Sequence, residues 1–367
     1  MTPQQRYKLN YIARFVAFWT LFGSIYAMVE YGILGDSPVY PSTQNSYNSS
    51  EQFIYVILGA SIMGFIVGVM ELYFFNGLFS TKSFAYKILL KASFYSTLIA
   101  AFLIILGAYF NSKIMGVPIT HPTVFDSIKR FVTNFAFLSI FIYIGFIFIL
   151  NFFIFEMSKS MGMMVVFNFI TGKYHKPLVE ERIFMFMDMK SSTTIAEKLG
   201  HVKYYQLLNK YYSDMSDPIL NTCGQIYQYV GDEVIISWPL KKGLLNNNCI
   251  RCFYEIKKAI NDNEEYYINH FGVAPLFKAG MHCGKVTTGE IGQLKKEIVF
   301  TGDVLNTTSR IQESCNQYDA ELLISKKLFD LLPHSSELTS TEIGELELRG
   351  KQEKILINKL ETLPSLL

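Results

Sequence analysis

The stretch FMFMDMKSST, residues 184–193, decides how the second half of the chain folds. Residues 183–187 are five apolar residues in a row, which predicts a buried strand, and that strand ends at the carboxylate of Asp188. A small hydroxyl cluster follows, and an amphipathic helix is expected from about Thr193 to residue 217. Because the first N–H groups of a helix have no partner inside it, Ser192 and Thr193 leave room for phosphate oxygens. The pattern predicts a corner that can hold a cation and a phosphate.

A second acidic residue lies in the segment QIYQYVGDEVIISW, residues 225–238. Its two β-rich runs are separated by Gly231 and Asp232, the spacing of a two-residue hairpin turn. Taken singly, Asp188 could cap the following helix and Asp232 could be a turn residue. If the hairpin lies beside the first strand, both carboxylates meet at one edge of the sheet. Such a pair suits two Mg²⁺ ions in phosphoryl chemistry.

The surrounding segments predict an α+β domain of ferredoxin-like, or palm-like, type over residues 177–367. A helix at about 247–269 precedes three short β-rich segments (FKAGMHCG, KVTTGEIG and IVFTG), and another helix begins at Asp303. The segment LELRGKQEKILI then closes the domain. The order βααββαβ predicts an antiparallel sheet with helices on one of its faces.

The first half of the chain has the composition of a membrane region. Half of all 367 residues are apolar, only 17% are charged, and the mean hydropathy is positive. Four apolar segments, at about 11–34, 53–75, 88–110 and 131–155, each reach the ~20 residues that a helix needs to cross a bilayer. We therefore expect four transmembrane helices within residues 1–155, in contact with membrane lipids. A net charge of +2 gives no reason to expect nucleic acid as a partner.

Basic residues predict the orientation in the membrane. They flank the N-terminus, the second loop and the end of the fourth segment, namely Arg6, Lys8, Arg14, Lys82, Lys87, Lys91, Lys159, Lys173 and Lys176. The loop 35–52 has no Lys or Arg, although the loop 111–130 has three. On balance, the N-terminus and the C-terminal domain are expected to face the cytoplasm, in a multi-pass protein of the cell (inner) membrane.

Two further patterns concern the spans and the linker. Glu71 and Lys91 are functional candidates, because ionisable residues are rare within membrane spans. Both lie near the cytoplasmic ends of the second and third segments, however, and there a mutual pair or extension of the side chains to the interface would accommodate them, which is the favoured interpretation. The linker, 156–176, includes part of a 3-4-3-4 series typical of a short two-stranded coiled coil. Its members are Ile154, Met157, Met161, Met164 and Asn168.

All five cysteines fall in the C-terminal domain, and a reducing compartment suits them as free thiols. Cys249 and Cys252 form a CxxC pair, but no second pair follows at the spacing of zinc ligands.

Four segments in this order resemble the catalytic domain of the class III adenylate/guanylate cyclases: FMFMDMKSSTTIAEKLG, YQYVGDEVIISW, FKAGMHCGKVTTGEIG and EIVFTGDVLNTTSRIQE. The resemblance covers residues 180–360. It implies that Asp188 and Asp232 bind two Mg²⁺ ions per site, with the carbonyl of Met189 as a further ligand and Mn²⁺ as a substitute. The implied reaction converts a purine nucleoside triphosphate to the 3′,5′-cyclic monophosphate and pyrophosphate, at the membrane.

The same resemblance assigns residues to the nucleotide. Asn306 matches the residue that orients the ribose, and Arg310 matches the one that stabilises the transition state; four apart on a helix, they share one face. Lys351, with Arg349 as the competing assignment, matches the triphosphate-binding lysine. In this family each site is shared by two protomers, so a homodimer is expected, with the aspartates of one chain facing Asn306 and Arg310 of the other.

The positions that select the base depart from the family pattern. They hold Gln228 and Val299, where adenylate cyclases commonly have Lys and Asp or Thr, and guanylate cyclases Glu and Cys. A glutamine amide both donates and accepts, so it fits adenine or guanine. Glu297, two residues from Val299 on the same face of a strand, is a candidate acceptor. ATP is favoured because it is the family's commoner substrate, and GTP remains the alternative.

Two other classes of protein fit less well. A diguanylate cyclase shares the palm-like fold, but its signature has two glycines before the acidic pair, whereas Val230 stands before Gly231 here. A non-catalytic membrane sensor could keep the domain only for dimerisation, and loss of a metal or nucleotide residue would mark it. Asp188, Asp232, Asn306 and Arg310 are all present.

Overall fold

The computed structural model describes residues 3–39, 46–75, 83–161, 168, 171–333, 338–347 and 354–362. Apart from the first four residues, the chain divides into two compact units, residues 5–167 and residues 168–367. Each unit has its own core.

The first unit consists of helices. These are α1 (Pro3–Leu34), α2 (Ser49–Tyr73), α3 (Phe84–Met115), α4 (Pro122–Val132) and α5 (Phe135–Met161). Four of them contain stretches long and apolar enough to cross a membrane, Lys8–Leu34, Ser49–Tyr73, Phe84–Met115 and Phe137–Ser158. The four predicted membrane helices are therefore confirmed.

Helix α4 was not expected, because the sequence placed a loop at 111–130. The side chain of His121 caps the helix by accepting from the N–H of Thr123, and Pro122 stands in its first turn, where no intrahelical N–H bond is lost. Val124 is fully buried, so tertiary packing stabilises a helix too short to be stable alone. Its presence moves the start of the last membrane helix from the predicted 131 to Phe135.

Aromatic side chains and one close helix contact hold this unit together. Tyr95, Phe148 and Phe152 are essentially fully buried, and the rings of Tyr95 and Phe148 stack at 5.4 Å. Gly64 brings α2 against α1, since a Cβ there would lie 2.8 Å from the carbonyl oxygen of Phe15. Small residues at helix contacts are typical of packing within membranes.

The two charges expected near the cytoplasmic ends of the spans form a buried pair. The ammonium of Lys91 lies 2.6 Å from Glu71, and both side chains are 3% exposed. Lys91 also contacts Glu156 of α5 at 3.3 Å, and the hydroxyl of Tyr95 donates to Glu71 at 3.2 Å. Of the two explanations left open by the sequence, the mutual pair is correct, and it is part of a larger network.

The second unit is a mixed α+β domain. Its strands are β1 (Leu178–Met189), β2 (Gln225–Val230), β3 (Glu233–Pro239), β4 (Phe277–Ile291), β5 (Glu297–Thr301), β6 (Leu322–Ser325), β7 (Leu338–Glu347) and β8 (Lys354–Thr362). Its helices are α6 (Ser192–Leu199), α7 (His201–Asn221), α8 (Leu240–Leu244), α9 (Asn248–Asp262), α10 (Glu264–Phe271), α11 (Asp303–Glu313) and α12 (Lys326–Phe329). The strand order is β2-β3-β1-β4-β6-β8-β7, with β5 paired to β4.

Several details of the predicted topology are wrong. The sheet is antiparallel except between β4 and β6, which run parallel. The helix predicted at 193–217 is broken at Gly200, which has φ of 71°, and the helix predicted at 247–269 is broken at Asn263. Local apolar periodicity continues across both breaks, so it could not reveal them.

Both faces of the sheet are covered, which corrects the expectation of helices on one face. In β1, Ile183, Met185 and Met187 join the main core with α7 and α9, whereas Phe184 and Phe186 join a smaller cluster that contains Val304 of α11. Successive strand residues point to opposite faces, so a strand covered on both sides reads as a continuous apolar run.

Close approach of α11 to the sheet depends on a glycine. A Cβ at Gly280 of β4 would collide with the main-chain nitrogen of Gln312. The neighbours of Gly280, Ala279 and Met281, belong to the main core on the other face. Helix α11 therefore packs on the face opposite to α7 and α9.

Candidate active site

Strand pairing brings the two aspartates together. Met187 of β1 pairs with Val234 of β3, so Asp188 lies at the end of β1 next to the β2–β3 turn that carries Asp232. Burial, followed by the effect of the neighbouring Asp232 carboxylate, raises the pKa of Asp188, while Lys278 and Gln312 oppose that shift. The expected meeting of the two carboxylates at one edge is present.

The acidic groups at this edge of the sheet favour binding of a cation. Oδ2 of Asp232 is buried and has no hydrogen-bond partner among the described residues. Leaving a buried acceptor unpaired is costly, and two adjacent carboxylates repel one another. Burial and the charges of Asp188 and Asp232 also raise the pKa of Glu233 to about 7. This excess of negative charge fits divalent cations.

Few protein groups at the site could coordinate a metal ion. Within the described ranges, His, Cys, Asp and Glu side chains form no cluster of three or more arranged to hold a metal ion. Two carboxylates and the carbonyl of Met189 would leave positions for phosphate oxygens and water, which is how Mg²⁺ is usually held at nucleotide sites. The residues present therefore fit Mg²⁺ in company with a nucleotide.

The CxxC pair lies on a helix. Cys249 and Cys252 lie in α9 as buried free thiols, and burial raises the pKa of each to about 12. Thiols that stay protonated are poor metal ligands.

Two neighbours of Asp188 were not found from the sequence. Lys278 is the cross-strand partner of Asp188 in the β1–β4 pairing, is only 8% exposed, and places its ammonium 3.5 Å from Oδ2. Gln312 of α11 donates from Nε2 to the same oxygen at 3.2 Å. Neither is near Asp188 along the chain, so only the strand register and the docking of α11 reveal them.

The hairpin tip is anchored by an aromatic residue that the sequence analysis also missed. The hydroxyl of Tyr212 in α7 donates to the carbonyl of Gly231 at 2.7 Å, and its ring packs against Tyr229 at 4.3 Å. Gly231 has φ of 66°, which the turn requires. Tyr212 therefore fixes the main chain next to Asp232.

The helix start after β1 has the predicted character. Helix α6 begins at Ser192, and the residue before it, Ser191, has φ of 58° and makes no side-chain cap bond. Thr193 is exposed. The first N–H groups of α6 therefore lack a capping side chain, close in sequence to Asp188.

Helix α11 carries two sets of residues on different sides. Gln312 faces Asp188 of its own chain. Arg310 precedes it by two positions, a rotation of about 200°, and Asn306 shares the side of Arg310. Asn306 is exposed and Arg310 half-buried, and the side chain of neither forms a hydrogen bond or ion pair with another described residue. Within one protomer, no hydrogen bond or ion pair between described residues joins the side chain of Asn306 or Arg310 to Asp188 or Asp232.

Strands β2 and β5 meet within one protomer. The rings of Tyr227 and Phe300 lie 4.8 Å apart, and the N–H of Phe300 donates to the hydroxyl of Tyr227 at 3.4 Å. Gln228 and Val299 are the sequence neighbours of this pair, and Gln228 is exposed while Val299 is half-buried.

The other nucleotide residues are less well placed or not described. Glu297 lies on β5 two residues from Val299, as expected, but it is exposed and forms an ion pair with Lys295 at 2.6 Å. Lys351 and Arg349 lie outside the described residues, and so does Met164 of the predicted coiled coil.

Comparison with known proteins supports what the geometry indicates. The adenylate and guanylate cyclase catalytic domain family matches residues 176–360, half of the chain. This chain belongs to the class III nucleotide cyclase family. It is 33% identical to Adenylate cyclase 2 of Rhizobium meliloti over 208 residues, 57% of each chain, and 25% identical to an adenylate cyclase of Anabaena cylindrica over 48% of this chain and 36% of the relative. The matched part of this chain thus spans 57% of the length of the first relative and 36% of the length of the second.

A solved structure shares the fold of the cyclase domain. A bacterial light-regulated adenylyl cyclase superposes with a TM-score of 0.50 at 20% identity, covering 56% of this chain and 60% of that one. The predicted fold class, membrane helices followed by an α+β cyclase domain, is confirmed.

Proposed function

We propose that the protein is a membrane-bound nucleotide cyclase that converts ATP to 3′,5′-cyclic AMP and pyrophosphate. The observation that carries this proposal is the convergence of Asp188 and Asp232, with a buried, unpaired carboxylate oxygen, inside a cyclase domain. A purely dimerising domain would have no use for that costly arrangement. The four membrane helices and the basic residues around them support a cell-membrane location with the catalytic domain in the cytoplasm.

Asp188, Asp232 and the carbonyl of Met189 would hold two Mg²⁺ ions, which Mn²⁺ can replace. When bound, these metals lower the pKa of the ribose 3′-hydroxyl and neutralise phosphate charge. Lys278 adds a nearly buried cation beside the carboxylates, suited to a phosphate oxygen of the substrate.

The remaining triphosphate contacts fall on the helix start and the C-terminal segment. The uncapped N–H groups of α6, with Ser192 and Thr193, offer donors for phosphate oxygens at the positive end of the helix dipole. Lys351 is assigned to the same triphosphate.

The site is completed by a second copy of the chain. Asn306 and Arg310 lie on the side of α11 away from Gln312, which contacts Asp188 of the same protomer. In a two-fold homodimer they would instead face the aspartates of the partner, giving two equivalent sites. There Asn306 orients the ribose, and Arg310 donates to the charge that builds up on the phosphate in the transition state.

ATP is favoured over GTP by the similarity to the adenylate cyclases of Rhizobium meliloti and Anabaena cylindrica described above. Gln228 and Val299 do not distinguish ATP from GTP. The ion pair of Glu297 with Lys295 is exposed and therefore weak, so the carboxylate of Glu297 can be released to contact the base.

If Gln228 contacts the base, Gln228→Lys should raise the ATP/GTP ratio of kcat/KM and Gln228→Glu should lower it, since an ammonium only donates and a carboxylate only accepts. An unchanged ratio in both variants would remove Gln228 from the base pocket.

The deciding assay uses the purified full-length protein with ATP or GTP and Mg²⁺ or Mn²⁺, with products identified by mass. Cyclic AMP is expected, and both Asp188→Ala and Asp232→Ala should lower its formation by about two orders of magnitude or more. The matched control is Asp262→Ala, which removes an exposed carboxylate at the end of α9 and should leave activity unchanged. Cyclic GTP alone would make the protein a guanylate cyclase, and no cyclic nucleotide from either substrate would make it a non-catalytic sensor.

A further inference from the structure

The membrane unit contains a half-open cavity that the catalytic proposal does not use. Its volume is about 640 Å³, within the usual range for small-molecule sites. All five helices of the unit contribute to its wall. The cavity therefore lies between the helices of the bundle and is open on part of its wall.

The cavity is long and mostly apolar. On α1 it is lined from Trp19 to Glu30, with Phe22 and Tyr26 on the same face, and the eleven helical steps between them span about 16 Å. Phe102 of α3 and Ile144 of α5 face the same space. A ligand that fills such a channel needs an extended apolar chain.

One end of the cavity is polar and carries an excess of negative charge. Glu30, Glu51 and Lys113 line this end, so two carboxylates face one ammonium. The ammonium of Lys113 lies 5.3 Å from the centre of the Tyr109 ring on its own helix. Glu30 is 8% exposed, which is rare for a carboxylate inside a membrane span and marks a functional position.

Three tyrosines line the cavity at the end where the buried carboxylate lies. The hydroxyl of Tyr26 donates to Glu30 at 3.4 Å, and the rings of Tyr26 and Tyr143 lie 5.4 Å apart. Tyr47 also lines this end. Tyrosine faces next to a carboxylate attract organic cations, quaternary ammonium groups above all.

We propose that this cavity binds a long-chain amphiphile with a positively charged ammonium head group, with the head at Glu30 and the chain extending towards Trp19. The head lies at the end of the bundle where α1 ends and α2 begins. Glu30 supplies the charge, the tyrosines supply the cation-binding surface, and the aromatic channel takes the chain.

Two glycines in the cavity wall are suitable positions for larger side chains that would fill the cavity. Gly59 of α2 and Gly107 of α3 both line it, and a Cβ at either would meet no atom within 4 Å. The side chains introduced by Gly59→Leu and Gly107→Leu therefore start in open space on the wall of the cavity. Gly145 of α5 is equally unobstructed but does not line the cavity, so Gly145→Leu is the matched control.

The test is photolabelling of the full chain in phosphatidylglycerol nanodiscs. The probe is a hexadecyltrimethylammonium carrying a diazirine on its chain, compared with the same chain bearing a sulfate, and labelled peptides are mapped by mass spectrometry. Labelling of cavity residues by the cationic probe should fall about tenfold in Gly59→Leu and Gly107→Leu but not in Gly145→Leu. Glu30→Gln should reduce the preference for the cationic probe by a similar factor.

Competition separates the two sources of this head group. Displacement of the probe by phosphatidylcholine included in the bilayer would identify a membrane lipid, and displacement only by free hexadecyltrimethylammonium would identify a soluble amphiphile. The proposal is overturned if neither competes, if the sulfate probe labels the cavity equally well, or if both cavity-filling variants label like the wild type. Because labelling is measured without turnover, its outcome is independent of whether the protein makes a cyclic nucleotide.

Discussion

Co-expression of Asp188→Ala and Arg310→Ala chains tests the shared site most directly. Each variant alone should be inactive, because each removes one half of both sites in its own homodimer. Helix α11 turns Gln312 towards Asp188 of the same chain, and the proposed arrangement assigns Arg310, about 200° away on that helix, to the partner's aspartates. A mixed dimer then has both defects in one composite site and none in the other.

The expected recovery follows from this geometry. With equal expression and random pairing, about half of the dimers are mixed, and each has one intact site of two, which gives about a quarter of wild-type activity. If Asp188 and Arg310 acted within one chain, every site in a mixed dimer would carry one defect, and activity would stay at background.

The assay measures cyclic nucleotide formed per dimer in membranes that contain both chains with different tags. Mixed dimers are confirmed by pull-down through one tag and detection of the other. Asp188→Ala with Asp232→Ala is the matched control: both changes affect the same half of the site, so mixing should restore nothing. Background activity from confirmed Asp188→Ala/Arg310→Ala dimers, or equal recovery in the control, would refute the shared site.

Three further outcomes are expected. Tyr212→Phe removes the hydroxyl that holds the hairpin and should raise the Mg²⁺ concentration for half-maximal activity about tenfold, while the exposed Tyr205→Phe leaves it unchanged. Lys91→Met leaves the Glu71 carboxylate buried without its ammonium and should lower the free energy of unfolding by about 3–5 kcal/mol, seen as a lower midpoint of thermal inactivation. Replacing both Glu71 and Lys91 by Leu should restore most of that stability. Equal losses of stability in the single and the double variant would refute the pairing. Because the pKa of Glu233 rises from 4.5 to about 7, the folded metal-free protein binds this proton more tightly than the unfolded chain does. Its stability in chelator should fall as pH rises through that interval, and Glu233→Gln should flatten the dependence in thermal melts.

The sequence by itself determined the features that depend on local pattern. An unbroken apolar run ending at Asp188 is sufficient to place a buried strand with a carboxylate at its end, because strand burial is encoded in consecutive residues. Gly231 and Asp232 likewise mark the hairpin turn, since few residues adopt its conformation. The membrane helices follow from length and hydropathy alone.

Tertiary structure decided which residues surround those features. Lys278 reaches Asp188 only through the β1–β4 register, and Gln312 only because Gly280 allows α11 to pack against the sheet. Glu156 joins Lys91 across 65 positions of sequence. No local periodicity encodes such contacts, because they depend on how separate elements dock.

The residues assigned to base selection and the two sides of α11 show the same difference between what local sequence encodes and what packing decides. Gln228 and Val299 could be located by motif, but the contact of Tyr227 with Phe300 that joins their strands could not. The helix that carries Arg310 was predicted, yet the direction of that side chain relative to Asp188 depends on which face of α11 meets the sheet. The sequence pattern determines which side chains of a segment are buried. Only the packing of the whole chain determines which other elements those side chains contact.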